Sequence, residues 1–138
     1  MATFTKFQAF VEALAEKVHN LGSDQLKVAL TNVAPVNTNT VLADLTEITY
    51  TNLSSRNITT NASAQSAGTY KLTLTDLVLT ASGGSVGPFR YVTVYNDTPT
   101  SPADPLIAFF DYGSSITLAD GETLTIDFDG SNGFLTIA

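Results

Sequence analysis

Histidine and cysteine, two of the side chains most often used in catalysis and metal binding, are scarce in this 138-residue chain. The chain has one histidine and no cysteine. Zinc needs three or four nitrogen or sulfur ligands, so these residues cannot form a zinc site, and disulfides and cysteine nucleophiles are excluded as well. His19 is the one candidate base for a Ser-His-Asp triad, but no serine motif accompanies it. We interpret His19 as a surface or helix-end residue and expect no cofactor.

The segment DFDGSNG, from Asp127 to Gly133, resembles the start of a calcium loop. Carboxylates at alternating positions can converge on one hard cation, but the bidentate glutamate that closes such a loop is absent. Asp, Asn and Gly are also the residues that build tight turns. The segment is therefore interpreted as a hairpin turn, with a calcium site as the alternative and no metal expected.

Other acidic and glycine-rich segments lack the spacing that a known chemistry requires. Nothing forces two of the aspartates at 97, 104, 111 and 120 together as a catalytic carboxylate pair, and each lies in or beside a predicted turn. The segment SGGSVG, from Ser82 to Gly87, has neither the lysine of a P-loop nor the spacing of a dinucleotide fingerprint. The sequence thus predicts a protein that is not an enzyme.

Charge and hydropathy exclude two further classes of partner. Six basic residues against thirteen acidic residues give a net charge of −7. A nucleic-acid binder needs a Lys/Arg footprint on the phosphates, so we expect no nucleic-acid partner. No stretch approaches the roughly twenty apolar residues of a membrane span, and no signal peptide is evident, so we expect no membrane partner and synthesis in the cytoplasm.

The periodicity of apolar residues predicts one domain over residues 1–138, with an N-terminal helix at about 4–21 and a β domain at about 24–138. Apolar residues recur at three- and four-residue spacing from Phe4 to Leu21, and Gly22 follows as a helix terminator. Strand-like alternation begins at Leu26. The clearest strand, Phe89 to Tyr95, is apolar on both faces and should be central.

The rest of the chain indicates short strands separated by turns. Leu106 to Tyr112 is predicted as a strand, Gly113 to Ser115 as a turn, and Asp120-Gly121 as the turn of a hairpin. Regular spacing of such strands favours an antiparallel β-sandwich or barrel of about 6–8 strands with one N-terminal α-helix.

Two features are candidate contact surfaces for another protein. Phe4, Phe7 and Phe10 form an aromatic stripe on the predicted helix, which either docks the helix on the sheet or reaches a neighbouring subunit. The loop from Asp97 to Pro105 is stiffened by prolines, and a stiff loop loses less entropy when it is immobilised on binding. Its prolines are Pro99, Pro102 and Pro105.

Several segments resemble a group of small virion proteins of tailed bacteriophages. They are GPFRYVTVYNDTPTSPADPLI (Gly87–Ile107), DYG (Asp111–Gly113), LADGET (Leu118–Thr123), KFQAFVEALAEKVHNLG (Lys6–Gly22) and LKVALTN (Leu26–Asn32). The resemblance implies a non-enzymatic protein of the phage particle, most like a capsid decoration (cement) protein. Such proteins bind the major capsid protein as oligomers, often trimers.

Two other functions stay open at this point. A tail or neck component, such as a tail-tube, tail-tip or fibre subunit, would have neighbouring tail proteins as its partners. A carbohydrate-binding module on a fibre would present exposed aromatic side chains over a sheet, and Tyr50, Tyr70 and Tyr112 are the candidates.

Overall fold

A computed structural model describes residues 2–138, and these residues form a mainly β fold with one N-terminal α-helix. Strands take 48% of the chain and helices 8%, which confirms the predicted fold class. The elements are β1 (Thr3–Lys6), α1 (Gln8–Ala15), β2 (Leu26–Thr31), a 3₁₀ helix (Leu42–Asp44), β3 (Thr60–Ser66), β4 (Thr69–Leu74), β5 (Leu77–Thr80), β6 (Val86–Asn96), β7 (Leu106–Leu118), β8 (Thr123–Ile126) and β9 (Leu135–Ile137).

The strands form three antiparallel sheets, ordered β1-β7-β6-β2, β3-β4-β9 and β5-β8. β6 lies between β7 and β2, which confirms the prediction of a central strand. It is central because side chains are buried on both of its faces from Val92 to Asn96. The 3₁₀ helix Leu42–Asp44 lies in the connection between β2 and β3.

Apolar side chains cover both faces of the four-stranded sheet. Val94 and Tyr95 are adjacent in β6, so they point to opposite faces. Val94 belongs to the larger core, which also holds side chains from the two smaller sheets such as Leu72 and Leu79. Tyr95 belongs to a smaller core with Phe7, Ala29, Leu106 and Phe109, against which Leu42, Leu45 and Tyr91 pack.

The predicted helix at 4–21 is wrong at both ends. Thr3–Lys6 is a strand that pairs with β7, with Phe4 opposite Phe110, because alternating threonine and phenylalanine fit a pleated edge. The helix ends at Ala15, and Lys17 takes the left-handed backbone conformation (φ 70°) that terminates it. Gly22 therefore does not end the helix. Residues 2–138 contain nine strands, of which β1 lies in the segment predicted as helix.

β7 is longer than predicted and contains a bulge in place of a turn. Between the pairs Phe89–Ile116 and Tyr91–Asp111, β6 advances two residues and β7 advances five. Gly113 lies in this bulge, and the strand continues to Leu118. The predicted turn at Gly113–Ser115 is therefore wrong.

The Asp120-Gly121 turn exists, but its flanking strands do not pair with each other. The amide of Glu122 donates to the carbonyl of Ala119 at 2.9 Å, as a tight turn requires. β7 pairs with β6, however, and β8 crosses to pair with β5. The hairpin prediction is wrong because β8 pairs with β5, Leu77–Thr80, instead of with β7.

Gly87 is a position where a side chain would collide with the neighbouring strand. Its φ is +127°, and an added Cβ would lie 2.9 Å from the carbonyl oxygen of Ile116. Gly113 has a φ of +101° but no atom within 4 Å of such a Cβ. We expect Gly87→Ala to lower the free energy of unfolding more than Gly113→Ala, whose cost is backbone strain alone, roughly 1–3 kcal/mol. Urea unfolding followed by circular dichroism measures both, and equal losses would contradict the close approach.

Candidate interaction surface

The structure separates the three phenylalanines that the sequence placed on one helix face. Phe4 lies on β1 and is 43% exposed. Phe7 precedes α1 and is buried in the smaller core, where its ring centroid lies 5.2 Å from that of Phe109. Phe10 lies on α1 and is buried in the larger core. Phe7 and Phe10 thus dock the helix, and Phe4 is the member of the set that a partner can reach.

An apolar groove of about 580 Å³ lies between α1, β1 and β9. Phe10 and Phe134 contribute to its lining, and Lys6 is the only charged side chain among the described residues that line it. We call this the apolar groove; its lining is Phe4, Lys6, Phe10, Val11, Leu14, Ile107, Ala108 and the segment 132–137.

Three large apolar side chains lining the apolar groove are substantially exposed. Phe4 is 43% exposed, Val11 51% and Ile137 44%. Single exposed apolar residues are ordinary on a protein surface, whereas a contiguous group is typical of an interaction site. The ring of Phe4 is held by edge contacts with Phe110 and Phe134, at centroid distances of 5.4 and 5.7 Å. The patch is therefore supported from below by the larger core.

Two open sheet edges accompany the apolar groove. β1 pairs only with β7, and β9 pairs only with β4. Within residues 2–138, no backbone hydrogen bond reaches the outer edge of either strand. By contrast, the chain's own segment 47–58 covers the outer edge of β2 through bridges such as Thr31–Glu47. Open edges with apolar neighbours are sites at which another chain can add a strand.

The proline loop, residues 97–105, is fixed at its base and exposed at its tip. The amide of Asn96 donates to the carbonyl of Pro105 at 3.0 Å, and Pro105 is buried. Pro99 is half-buried, and Pro102 is exposed in a tight turn between Thr100 and Ala103. Of the three prolines predicted as contacts, Pro102 is therefore the one a partner can reach fully.

A second groove connects the apolar groove to the proline loop. Leu14 and Ile137 line both grooves, and Pro99 lines the second. The floor of the second groove is the connection between α1 and β2, residues 17–24. The predicted contact residues Phe4, Phe10 and Pro99 thus border one continuous surface, while Phe7 and Pro105 lie beneath the surface.

His19 lies beside the second groove and is buried, so its interpretation as a surface or helix-end residue is wrong. It is 6% exposed and stacks on Phe10 at a centroid distance of 5.1 Å. Its Nδ1 lies 3.1 Å from the side-chain nitrogen of Asn96, and its Nε2 has no hydrogen-bond partner. Burial lowers the pKa of His19, and the carboxylate of Asp24 offsets part of that shift.

The Asp127–Gly133 segment forms a turn whose carboxylates bond to the turn itself. Asp127 accepts from the amide of Asp129 at 2.7 Å, and Asp129 accepts from the amide and side chain of Asn132 at 3.0 and 2.8 Å. These bonds lower the pKa of Asp129. No group of three His, Cys, Asp or Glu side chains within residues 2–138 is placed to hold a metal ion. The segment is therefore a turn, but the prediction of a hairpin is wrong, because β8 pairs with β5 and β9 pairs with β4.

The remaining aspartates are bound to separate partners. Asp111 accepts two hydrogen bonds from the guanidinium of Arg90, at 2.8 and 3.0 Å, and Asp120 accepts from the amide of Gly83. Asp97 lies 3.8 Å from the ammonium of Lys27. Burial, together with the nearby Asp97, raises the pKa of Asp104. Asp97 and Asp104 lie at the two ends of the proline loop.

The three tyrosines considered for carbohydrate binding do not form one platform. The guanidinium of Arg56 covers the ring of Tyr50 at 3.7 Å, and the hydroxyl of Tyr50 donates to Glu47 at 2.6 Å. Burial raises the pKa of Tyr50 well above its ordinary value. Tyr70 is half-buried with its hydroxyl bonded to Ser63, and Tyr112 on β7 is exposed.

Comparisons with known proteins add no further information about the surface. No protein-family model, curated protein sequence or solved structure matches the chain. In the part of the chain that the structure describes, α1 and the 3₁₀ helix are both too short to span a membrane.

Sequence reasoning missed two parts of this surface. Val11 falls within the helix predicted at about 4–21, and neither Val11 nor Ile137 was predicted as a contact residue. The eight-residue helix α1 buries only the side chain of Phe10 fully, and the side chain of Val11 stays exposed to solvent. The exposed apolar patch follows from this short helix and the open edge of β9, neither of which periodicity can reveal.

Proposed function

We propose that this chain is a non-catalytic structural protein of a tailed-bacteriophage particle, a capsid decoration subunit that binds the outer capsid and stabilises the head. It associates with copies of itself, as a trimer in the simplest case, and with the major capsid protein. The observation that carries the proposal is the apolar groove with its exposed Phe4, Val11 and Ile137 beside two open strand edges.

Three further features support this proposal. The segments from Gly87 to Thr123 and from Lys6 to Asn32 resemble small phage virion proteins. The apolar groove is poor in charge, and the cores of protein–protein interfaces are depleted of charged residues. The proline loop presents Pro102 on a base fixed by the Asn96–Pro105 hydrogen bond, so its tip loses little entropy on binding.

The copy number of the chain in purified particles tests the proposal. For a decoration subunit we expect a number of copies near that of the major capsid protein, measured by quantitative mass spectrometry of virions from the phage that encodes the chain. Density for the chain on the outer capsid in an electron-microscopy reconstruction is the second expected result. Absence of the chain from purified virions would contradict the proposal.

The alternative role, a tail or neck component, uses the same surface with neighbouring tail proteins as partners. An open strand edge beside an apolar groove suits ring or tube assembly by strand addition. A copy number of a few to dozens per particle, with density in the tail or neck, would favour this role over decoration.

A further inference from the structure

His19 joins the two candidate contact surfaces. Its ring contacts Phe10, which lines the apolar groove, and its Nδ1 faces Asn96 at the end of β6, where the proline loop begins. The connection Lys17–Asp24, on which His19 lies, lines the second groove between those surfaces. His19 thus contacts one residue at each of the two surfaces.

Hydrogen bonds fix the orientation of the Asn96 amide. Its Oδ1 accepts from the amide of Thr98 at 3.1 Å, and its Nδ2 donates to the carboxylate of Asp24 at 2.6 Å. The opposite orientation would place an N–H against the Thr98 N–H and an oxygen against the Asp24 carboxylate. The second N–H of Nδ2 is therefore directed at His19, so Nδ1 of His19 accepts and Nε2 carries the proton.

We propose that His19, Asn96 and Asp24 form an acid-sensitive clasp that holds the Lys17–Asp24 connection against the start of the proline loop. A proton taken from solvent on Nδ1 would oppose the N–H of Asn96, so the hydrogen bond between them breaks. The resulting imidazolium would be buried with an Nε2–H that has no acceptor. A buried cation without a full set of acceptors is costly, so the connection opens to expose it to water.

Few charged groups face His19 from the elements that pack around it. Asp24 is the anion at the clasp, and it favours the imidazolium. Lys17 and Tyr70 line the same groove, and α1 and the proline loop present the uncharged residues Phe10, Leu14, Thr98 and Pro99. Burial outweighs the attraction of Asp24, so the pKa of His19 in the folded protein lies below that of an unfolded chain, about 6.5.

The lowered pKa of His19 determines how the stability of the fold changes with pH. A histidine whose pKa is lowered by folding stabilises the fold fully above about pH 6.5. That stabilisation is lost progressively as the pH falls from 6.5 through the lower pKa of the folded state. The clasp is therefore closed at neutral pH and opens on acidification, whichever partner the contact surfaces bind.

The titration of His19 can be followed without ambiguity because the chain has one histidine. We expect the imidazole proton resonances of the full-length protein to titrate below pH 6.5. Over the same range, hydrogen exchange of the amides of Asn20, Asp24, Gln25 and Thr98 should accelerate beyond the intrinsic pH effect, because these amides bond within or beside the clasp. Titration at 6.5 or above, or amide protection that stays constant through the titration, would overturn the proposal.

Two variants separate the clasp from a merely structural histidine. Asp24→Asn keeps an oxygen that can accept from Asn96 but removes the anion, so the midpoint of His19 should move to lower pH. His19→Asn keeps an acceptor for Asn96 but does not titrate, so the acid-induced amide exchange should disappear. If His19→Asn retains that exchange, or Asp24→Asn leaves the midpoint unchanged, the clasp is refuted. The wild-type titration decides the question should either variant fail to fold.

Discussion

Phe128→Ala is expected to lower the free energy of unfolding by about 3–5 kcal/mol, which is the usual cost of deleting a fully buried aromatic ring. Phe128 is 1% exposed and packs edge-on against Phe134 at 5.7 Å, with Phe110 at 6.5 Å. Its loss leaves a cavity between the four-stranded sheet, to which Phe110 belongs, and the β3-β4-β9 sheet, which Phe134 immediately precedes. Thermal unfolding followed by circular dichroism should show a midpoint lower by about 10 °C or more.

Phe4→Ala is the matched control because it deletes the same ring from a half-exposed position. Phe4 touches two of the same partners, Phe110 and Phe134, from the surface side. We expect a loss of roughly 1–2 kcal/mol, in proportion to the area that Phe4 buries. Equal losses for the two variants would mean that Phe128 does not lie at the centre of the core.

The fold class followed from the sequence because period-two alternation is a local property. The start of β2 was placed at its observed position, Leu26, and β6 was recognised as central because both of its faces are apolar. The turn at Asp120-Gly121 was also found, since turn chemistry depends on neighbouring residues. The pairing of the strands on either side of this turn was not predictable, because β8 pairs with β5, which lies more than forty residues earlier in the chain.

The predicted start of the helix was wrong for a related physical reason. The spacing of Phe4, Phe7 and Phe10 fits a helix as well as it fits a strand followed by a short helix. Pairing of Phe4 with Phe110 decides between them, and that pairing is a tertiary interaction. The clasp could not be predicted from local sequence patterns for the same reason, because Asp24 and Asn96 are 72 positions apart in the chain.

The contact surface depends on these long-range pairings. A helix over 4–21 would have buried Phe4 and Val11 together against the sheet. The short helix instead leaves Val11 exposed opposite Ile137, and β1 and β9 each keep one open edge. The apolar groove thus depends on where the helix begins and ends, which links the boundary error to the surface that the proposed function requires.

Val11→Asp is expected to weaken assembly at least 100-fold with little effect on folding. Val11 is 51% exposed, so an aspartate side chain at this position stays hydrated in the isolated subunit. Val and Asp also have similar helix propensities, so the helix itself should be little affected. In an assembled interface over the apolar groove, the carboxylate would lose its water, at a cost of several kcal/mol. Sedimentation velocity of the purified chain measures self-association. Occupancy on particles, after the variant is added to heads made without the chain, measures attachment.

Val36→Asp is the control that makes this result specific to the apolar groove. Val36 is 56% exposed in the loop after β2 and does not line the groove, so the substitution adds the same charge at a similar exposure. We expect it to change self-association and particle occupancy by no more than a few-fold. Equal effects of the two variants would show that assembly responds to net charge. No effect of either would place the contact elsewhere, with the exposed tip at Pro102 as the next position to substitute.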